Sequence, residues 1–258
     1  MNKFSIIPLG SGGWYSNDFR ETTCWMLELK NVLFIIDLGS GLRRLLSPEW
    51  QSYLDEKSNI NILLTHFHLD HIIGLFYMQE IFSERKINIF APGKNIYGET
   101  ASNIINNLMR EPFASELGSN IVINDLKSGY YNIDKIDIEF WEQKHSSPSL
   151  GFCIDNSIIF ALDTYFKPSM KDIYKGSHCV IHDCWQDRRG TKEDPHYSHC
   201  NVDQVANLAY QSNIKNLFLA HLNPTYSEER LKNMLQQAKE KFEATILPRE
   251  EKVYEFGR

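Results

Sequence analysis

Residues 65–71 read Thr-His-Phe-His-Leu-Asp-His, so His66, His68, Asp70 and His71 fall within six positions. Three imidazoles and a carboxylate at this density are the donors that a borderline divalent cation takes. His66 and His68 alternate and can converge on one ion, while Asp70 and His71 can serve a second ion beside it. The apolar run Asn61-Ile62-Leu63-Leu64 enters the cluster as a buried strand. A helix-like period through Ile72, Leu75, Met78, Ile81 and Phe82 leaves it. The cluster therefore occupies a loop between a strand end and a helix, where rigid elements can hold a reactive group.

The same arrangement repeats along the chain. Strands are expected over Phe4–Leu9, Thr22–Leu29, Val32–Asp37, Ile87–Phe90, Ile121–Leu126, Ile133–Trp141, Gly151–Ile154, Ile158–Leu162, Cys179–Ile181, Leu217–Ala220 and Lys252–Phe256. Helices are expected over Leu42–Leu46, Ile96–Leu108, from Gln204, and from an N-cap at Ser227 to Phe242. His145, Asp163, His182 and His221 each stand at the end of an apolar strand, as do His66 to His71. Chemistry gathered at strand ends reads as one site at a sheet edge. The assignment puts His66, His68 and His145 on one metal and Asp70, His71 and His221 on another, with the Asp163 carboxylate bridging them. Gly10-Ser11-Gly12-Gly13 lacks the lysine of a phosphate-binding loop and reads as a tight turn near the site. The segment 109–113 breaks the helix at Pro112 and reads either as a loop lining a pocket or subunit contact or as a plain surface loop. His178 and His196 read as surface or structural residues.

The chain of 258 residues carries 42% hydrophobic and 23% charged residues, with a net charge of −6. That is an ordinary globular composition, and one domain over residues 1–258 is expected because no linker or repeat interrupts it. The acidic balance argues against a protein that lives on bulk phosphate contacts to long nucleic acid. Five cysteines without a CxxC pair point to reduced thiols and a cytoplasmic setting. No apolar run reaches the length of a signal peptide or a membrane span, so no membrane partner is expected.

His66-x-His68-x-Asp70-His71 resembles the HxHxDH signature of the metallo-β-lactamase superfamily, and the order of the remaining donors is most similar to its RNase Z branch. His145 before Gly151-Phe152, Leu162-Asp163-Thr164, Ile181-His182-Asp183, His199 with Gln204, and Leu219-Ala220-His221 carry that likeness nearly end to end. Asp183 stands where glutamate is usual, and Cys200-Asn201 replace Ser-Thr. The resemblance implies an α/β fold, an αββα sandwich of two mixed β-sheets flanked by helices. It implies two divalent metal ions (zinc by default, manganese or iron as alternatives), Asp37 as a brace for the histidine loop, His182 as support near the site, and His199 as a proton donor oriented by Asp183. In many tRNA-processing members a long arm lies between the positions matching His145 and Asp163; here they are 18 apart, room for a hairpin only.

Two divalent metals about 3.5–4 Å apart suit in-line displacement at phosphorus by a bridging hydroxide. Asp70 and His199 are the expected catalytic side chains, with Asp183 behind His199. Armless chains with this motif set resemble cyclic-nucleotide phosphodiesterases of the anti-Pycsar type, which act in phage counter-defence. The resemblance then implies hydrolysis of 3′,5′-cyclic mononucleotides to nucleoside 5′-monophosphates by a homodimer, in the host cytoplasm if phage-encoded. Three other readings stay open: a tRNA 3′-end endonuclease, a hydrolase of carboxylic or sulfuric esters or lactones, and a non-catalytic nucleotide-binding protein.

Overall fold

The computed structural model describes residues 3–57, 59–188 and 199–257, so His196 lies outside the described residues. In chain order the strands are β1 (Lys3–Gly10), β2 (Cys24–Leu29), β3 (Val32–Ile36), β4 (Asn59–Leu63), β5 (Ile87–Pro92), β6 (Ile121–Leu126), β7 (Gly129–Ile133), β8 (Ile136–Gln143), β9 (Ser149–Ile154), β10 (Ile158–Ala161), β11 (Cys179–Asp183), β12 (Asn216–Ala220), β13 (Thr245–Ile246) and β14 (Tyr254–Gly257). The helices are α1 (Pro48–Asp55), α2 (Leu69–Ile72), α3 (Met78–Phe82), α4 (Lys94–Tyr97), α5 (Ala101–Leu108), α6 (Met170–Ile173), α7 (Val202–Gln211) and α8 (Glu228–Lys239). They form two mixed seven-stranded sheets with helices, the class the sequence predicts. The chain divides into two compact units. One holds residues up to Ser11, Arg20–Lys127 and the stretch from Glu250 on; the other holds Gly12–Phe19 and Ser128–Arg249.

In the first unit the sheet order is β14-β1-β2-β3-β4-β5-β6. Lys30 and Asn31 both take left-handed backbone, at φ 52° and 64°, the tight turn whose twist suits paired strands. From β3 onward the pairing is parallel, which requires the crossovers that α1 to α5 supply. The strands buried on both sides read as continuous apolar runs, all of Val32–Ile36 for example. Because β1 and β3 both run antiparallel to β2, the carboxyl ends of β1, β3 and β4 share one edge. That edge carries Gly10, Asp37 and the histidine loop.

Two expected helices are broken here. The Gly74 N–H donates to the Leu38 carbonyl at 2.6 Å, outside any helical ladder. The stretch after the histidines therefore becomes α2, a 3-10 turn over Ile73–Tyr77, and α3. The helix expected over Ile96–Leu108 stops at Gly98, whose φ of 75° ends α4. Thr100 then begins α5 by accepting from the Asn103 N–H.

The second unit orders its sheet β13-β12-β11-β10-β9-β8-β7. The strand expected from Ile133 starts only at Ile136, because Asp134 and Lys135 turn left-handed (φ 49° and 66°) and fold β7 back on β8. Strands β7 to β10 form an antiparallel meander, and β10 to β13 are parallel. The carboxyl ends of β8, β10, β11 and β12 therefore lie on one edge, the usual place for a ligand in such sheets. Val202, Val205, Ala206, Leu208 and Ala209 of α7 and Leu231, Met234 and Ala238 of α8 complete the core on this sheet. Asn201 and Gln204 cap α7 reciprocally, each side chain accepting the other's N–H at 2.9 and 3.0 Å.

Candidate metal and catalytic site

At the carboxyl edge of the first sheet, Asp37 turns out of β3 through a left-handed φ of 58°. Its carboxylate is fully buried. It accepts the Thr65 N–H at 2.8 Å, the Thr65 hydroxyl at 2.9 Å and His71 Nδ1 at 2.7 Å. Burial raises its pKa above the usual carboxylate range, against the opposing pull of His71 and Thr65. With Nδ1 of His71 committed to Asp37, Nε2 is the nitrogen presented for ligation. His66 is treated alike: its Nδ1 lies 3.0 Å from Thr65 Oγ1. The His66 ring stands 4.5 Å from that of His68 and 4.2 Å from that of His71, and Asp70 Oδ2 is 3.4 Å from His71 Nε2. Gly39 allows the two loops to meet, since a Cβ there would lie 2.5 Å from the Asp70 carbonyl oxygen. The Asp37→Ala variant is expected to lose about 10- to 100-fold in divalent-metal affinity, read by chelator competition.

The second sheet brings its own donors together. Asp163 and His221 leave β10 and β12 in left-handed backbone, φ 51° and 52°, conformations that Asp and His tolerate better than most residues. Gln143 secures the Asp163 turn by donating to the Leu162 carbonyl at 2.7 Å and to Ser149 Oγ at 3.1 Å; Ser149 in turn donates to the Asp163 carbonyl. Asp163 then faces two imidazoles, Oδ1 at 3.0 Å from His221 Nε2 and Oδ2 at 3.4 Å from His145 Nε2. A carboxylate with one oxygen toward each of two ligand-type nitrogens has the form of a bridge between cations, so this donor set fits the implied metal pair.

His199 joins this group. Its Nδ1 is 2.9 Å from Asp183 Oδ2, which also accepts the Thr164 N–H at 3.2 Å. Ligand atoms of Asp163, His199 and His221 all lie within 4.8 Å of one another. Alternation along β11 turns His182 the other way. Its ring packs edge-on to Tyr174, its Nδ1 meets the Asp183 carbonyl at 2.7 Å, and burial holds its pKa below the ordinary histidine value. His178, at the start of β11, belongs to the opposite edge of the sheet.

Trp185 escapes a reading of motifs, because a single aromatic after a strand carries no spacing signal. Its indole lies 5.0 Å from the His199 ring and 5.4 Å from that of His221, with planes within 20° and 32°. It is a positioning residue for both imidazoles. Cys200, where Ser is usual, donates its Sγ–H to the Thr164 carbonyl at 3.2 Å. Burial pushes the thiols of Cys24, Cys179, Cys184 and Cys200 well up, which makes them poor nucleophiles. Under native conditions iodoacetamide is expected to label Cys153 alone, the one half-buried thiol of the five. Mass spectrometry after denaturation should reveal the other four.

The anti-Pycsar protein Apyc1 family model matches residues 4–243. The chain belongs to the anti-Pycsar Apyc1 family. It is also 21% identical to the Ribonuclease Z of Treponema denticola, over 97% of each chain. Among solved structures it superposes on the metallo-β-lactamase fold protein YhfI from Bacillus subtilis with a TM-score of 0.80 at 15% identity, over 99% of this chain and 100% of that one. It superposes on yeast PDE1 with a TM-score of 0.72 at 14% identity, over 98% and 99%. The fold of this Apyc1-family chain is thus the metallo-β-lactamase fold, and the chain is a metal-dependent hydrolase. Among the described residues no helix is long and apolar enough to cross a membrane.

Proposed function

We propose that the chain is a phosphodiesterase that opens 3′,5′-cyclic mononucleotides to nucleoside 5′-monophosphates. The observation that carries this is the His199 imidazole, fixed by Asp183 at 2.9 Å and set beside Asp163 and His221. A proton donor so placed suits the departure of an alkoxide from phosphorus. The residues between His145 and Asp163 are taken up by β9 and β10, with no arm for a large RNA, which favours a small diester. Membership in the Apyc1 family supports the cyclic class.

In this reading both units act as a single domain over residues 1–258, supported by a family model that runs across them. His66, His68 and His145 would hold one divalent cation, Asp70, His71 and His221 the other, and Asp163 both. Zinc is the metal that histidine-rich ligation favours, with manganese or iron as substitutes. When bound, the two cations neutralise the phosphoryl oxygens and acidify water. Asp70 receives the proton of the attacking water, whose oxygen forms the new bond to phosphorus. As the bond from phosphorus to O3′ breaks, His199 Nε2 gives its proton to O3′ while Asp183 stabilises the imidazole at Nδ1. We place the protein in the cytoplasm as a homodimer, with residues 109–117 as the subunit-contact loop.

The test incubates the metal-loaded protein with cyclic CMP, UMP, AMP and GMP and reads the products by chromatography. Formation of 5′-monophosphates is expected. The Ribonuclease Z relatives favour one competing reading, a tRNA 3′-end endonuclease. Cleavage of pre-tRNA with no turnover of any cyclic nucleotide would replace the proposal with it.

A further inference from the structure

The stretch Gly12–Phe19 separates two strands of the first sheet yet packs with the second unit. It is pinned along its length to the residues that follow His221. Gly13 donates its N–H to the Leu222 carbonyl at 3.0 Å, and Asn17 Nδ2 donates to the Pro224 carbonyl at 2.9 Å. Asn17 Oδ1 accepts the Phe19 N–H at 2.9 Å, which closes the turn. Gly13 lies directly on the His221 imidazole: a Cβ there would come within 2.4 Å of Cε1.

The next residue, Trp14, is held at φ 66°, a conformation that a bulky side chain keeps only when its surroundings impose it. The Trp14 side chain is 68% exposed and Tyr15 is 48% exposed. A ring the size of the Trp14 indole would ordinarily be at least half-buried. Here a fixed loop displays the two side chains one and two residues after Gly13, the residue that lies on the His221 imidazole.

We infer that Trp14, with Tyr15 beside it, is a stacking platform for the nucleobase of the substrate. The inference rests on the phosphodiesterase reading. A diester held at His221 extends away from its phosphate through the ribose to the base, and the base offers the flat π-face that an indole recognises whatever its sequence of ring atoms. Because the loop is already fixed by its hydrogen bonds, stacking orders little that was loose.

The experiment compares the wild-type chain with Trp14→Ala and Trp14→Phe on cyclic AMP and on base-free ribose 3′,5′-cyclic phosphate. Trp14→Ala is expected to raise KM for cyclic AMP roughly 5- to 100-fold, with kcat kept. It should leave KM for the base-free diester in place, and Trp14→Phe should restore most of the loss. Titration with AMP should quench tryptophan fluorescence in the wild type, and the quench should be smaller in Trp14→Phe. Equal KM shifts on the two diesters would overturn the platform alone. So would a Trp14→Ala chain that dissociates in sedimentation while binding cyclic AMP normally, since the ring would then belong to a subunit contact. Turnover of neither diester by the wild type would overturn the phosphodiesterase reading, and the platform with it.

Discussion

An Asp163→Asn variant is expected to fold normally, to bind one divalent ion or fewer in place of two, and to lose at least about 10³-fold in kcat. Asparagine tolerates the left-handed backbone at this position, where φ is 51°. The hydrogen bond from Ser149 to the Asp163 carbonyl, at 3.1 Å, does not involve the side chain that changes. The loss therefore falls on ligation. In the wild type Oδ1 stands 3.0 Å from His221 Nε2 and Oδ2 3.4 Å from His145 Nε2. An amide keeps one acceptor oxygen and presents an NH2 group to the other imidazole, with no negative charge to share between two cations. Charge stabilisation by a metal at phosphorus amounts to several kcal/mol, which sets the size of the effect. Elemental analysis, steady-state kinetics and circular dichroism on one preparation decide it. Two ions per chain with kcat within about tenfold of wild type would sink the bridging assignment.

Much of this arrangement was legible in the sequence because its donors punctuate apolar strands. Asp163 and His221 each follow an uninterrupted buried run, and His66 to His71 lie in one stretch, so pattern singled them out together. Asp37 also follows such a run but came from the family resemblance. What pattern could not supply was direction. His182 and Asp183 look equivalent as a pair, yet neighbours on a strand face opposite sides, and only Asp183 meets His199. The Asp134–Lys135 turn contains no glycine or asparagine, so the hairpin between β7 and β8 was hidden inside what read as a single strand. Trp185, Gln143 and Ser149 act through tertiary contacts that join distant segments, and no spacing rule reports such contacts. The helix break at Gly98 was visible as a residue type, but a lone glycine within an apolar period does not by itself end a helix.

His199→Ala should lower kcat on a cyclic nucleotide by about 10²–10⁴-fold, the contribution of a positioned proton donor. The loss should shrink to near nothing on bis-p-nitrophenyl phosphate, because p-nitrophenolate departs without needing a proton. That contrast separates two roles the geometry brings close together. Ligand atoms of His199, Asp163 and His221 lie within 4.8 Å of one another, so the imidazole stands where a further metal ligand could also stand. As a ligand, His199 would be needed equally for both substrates, and its removal would reduce bound metal. As a proton donor it affects only the poor leaving group and leaves the metal count unchanged. The 2.9 Å contact from His199 Nδ1 to Asp183 Oδ2 supports the donor role, because a carboxylate there stabilises the protonated ring and fixes which nitrogen faces the substrate. Asp183→Asn should then reproduce the substrate dependence of His199→Ala at smaller amplitude, and an Asp183→Asn loss that is equal on both diesters would refute that coupling.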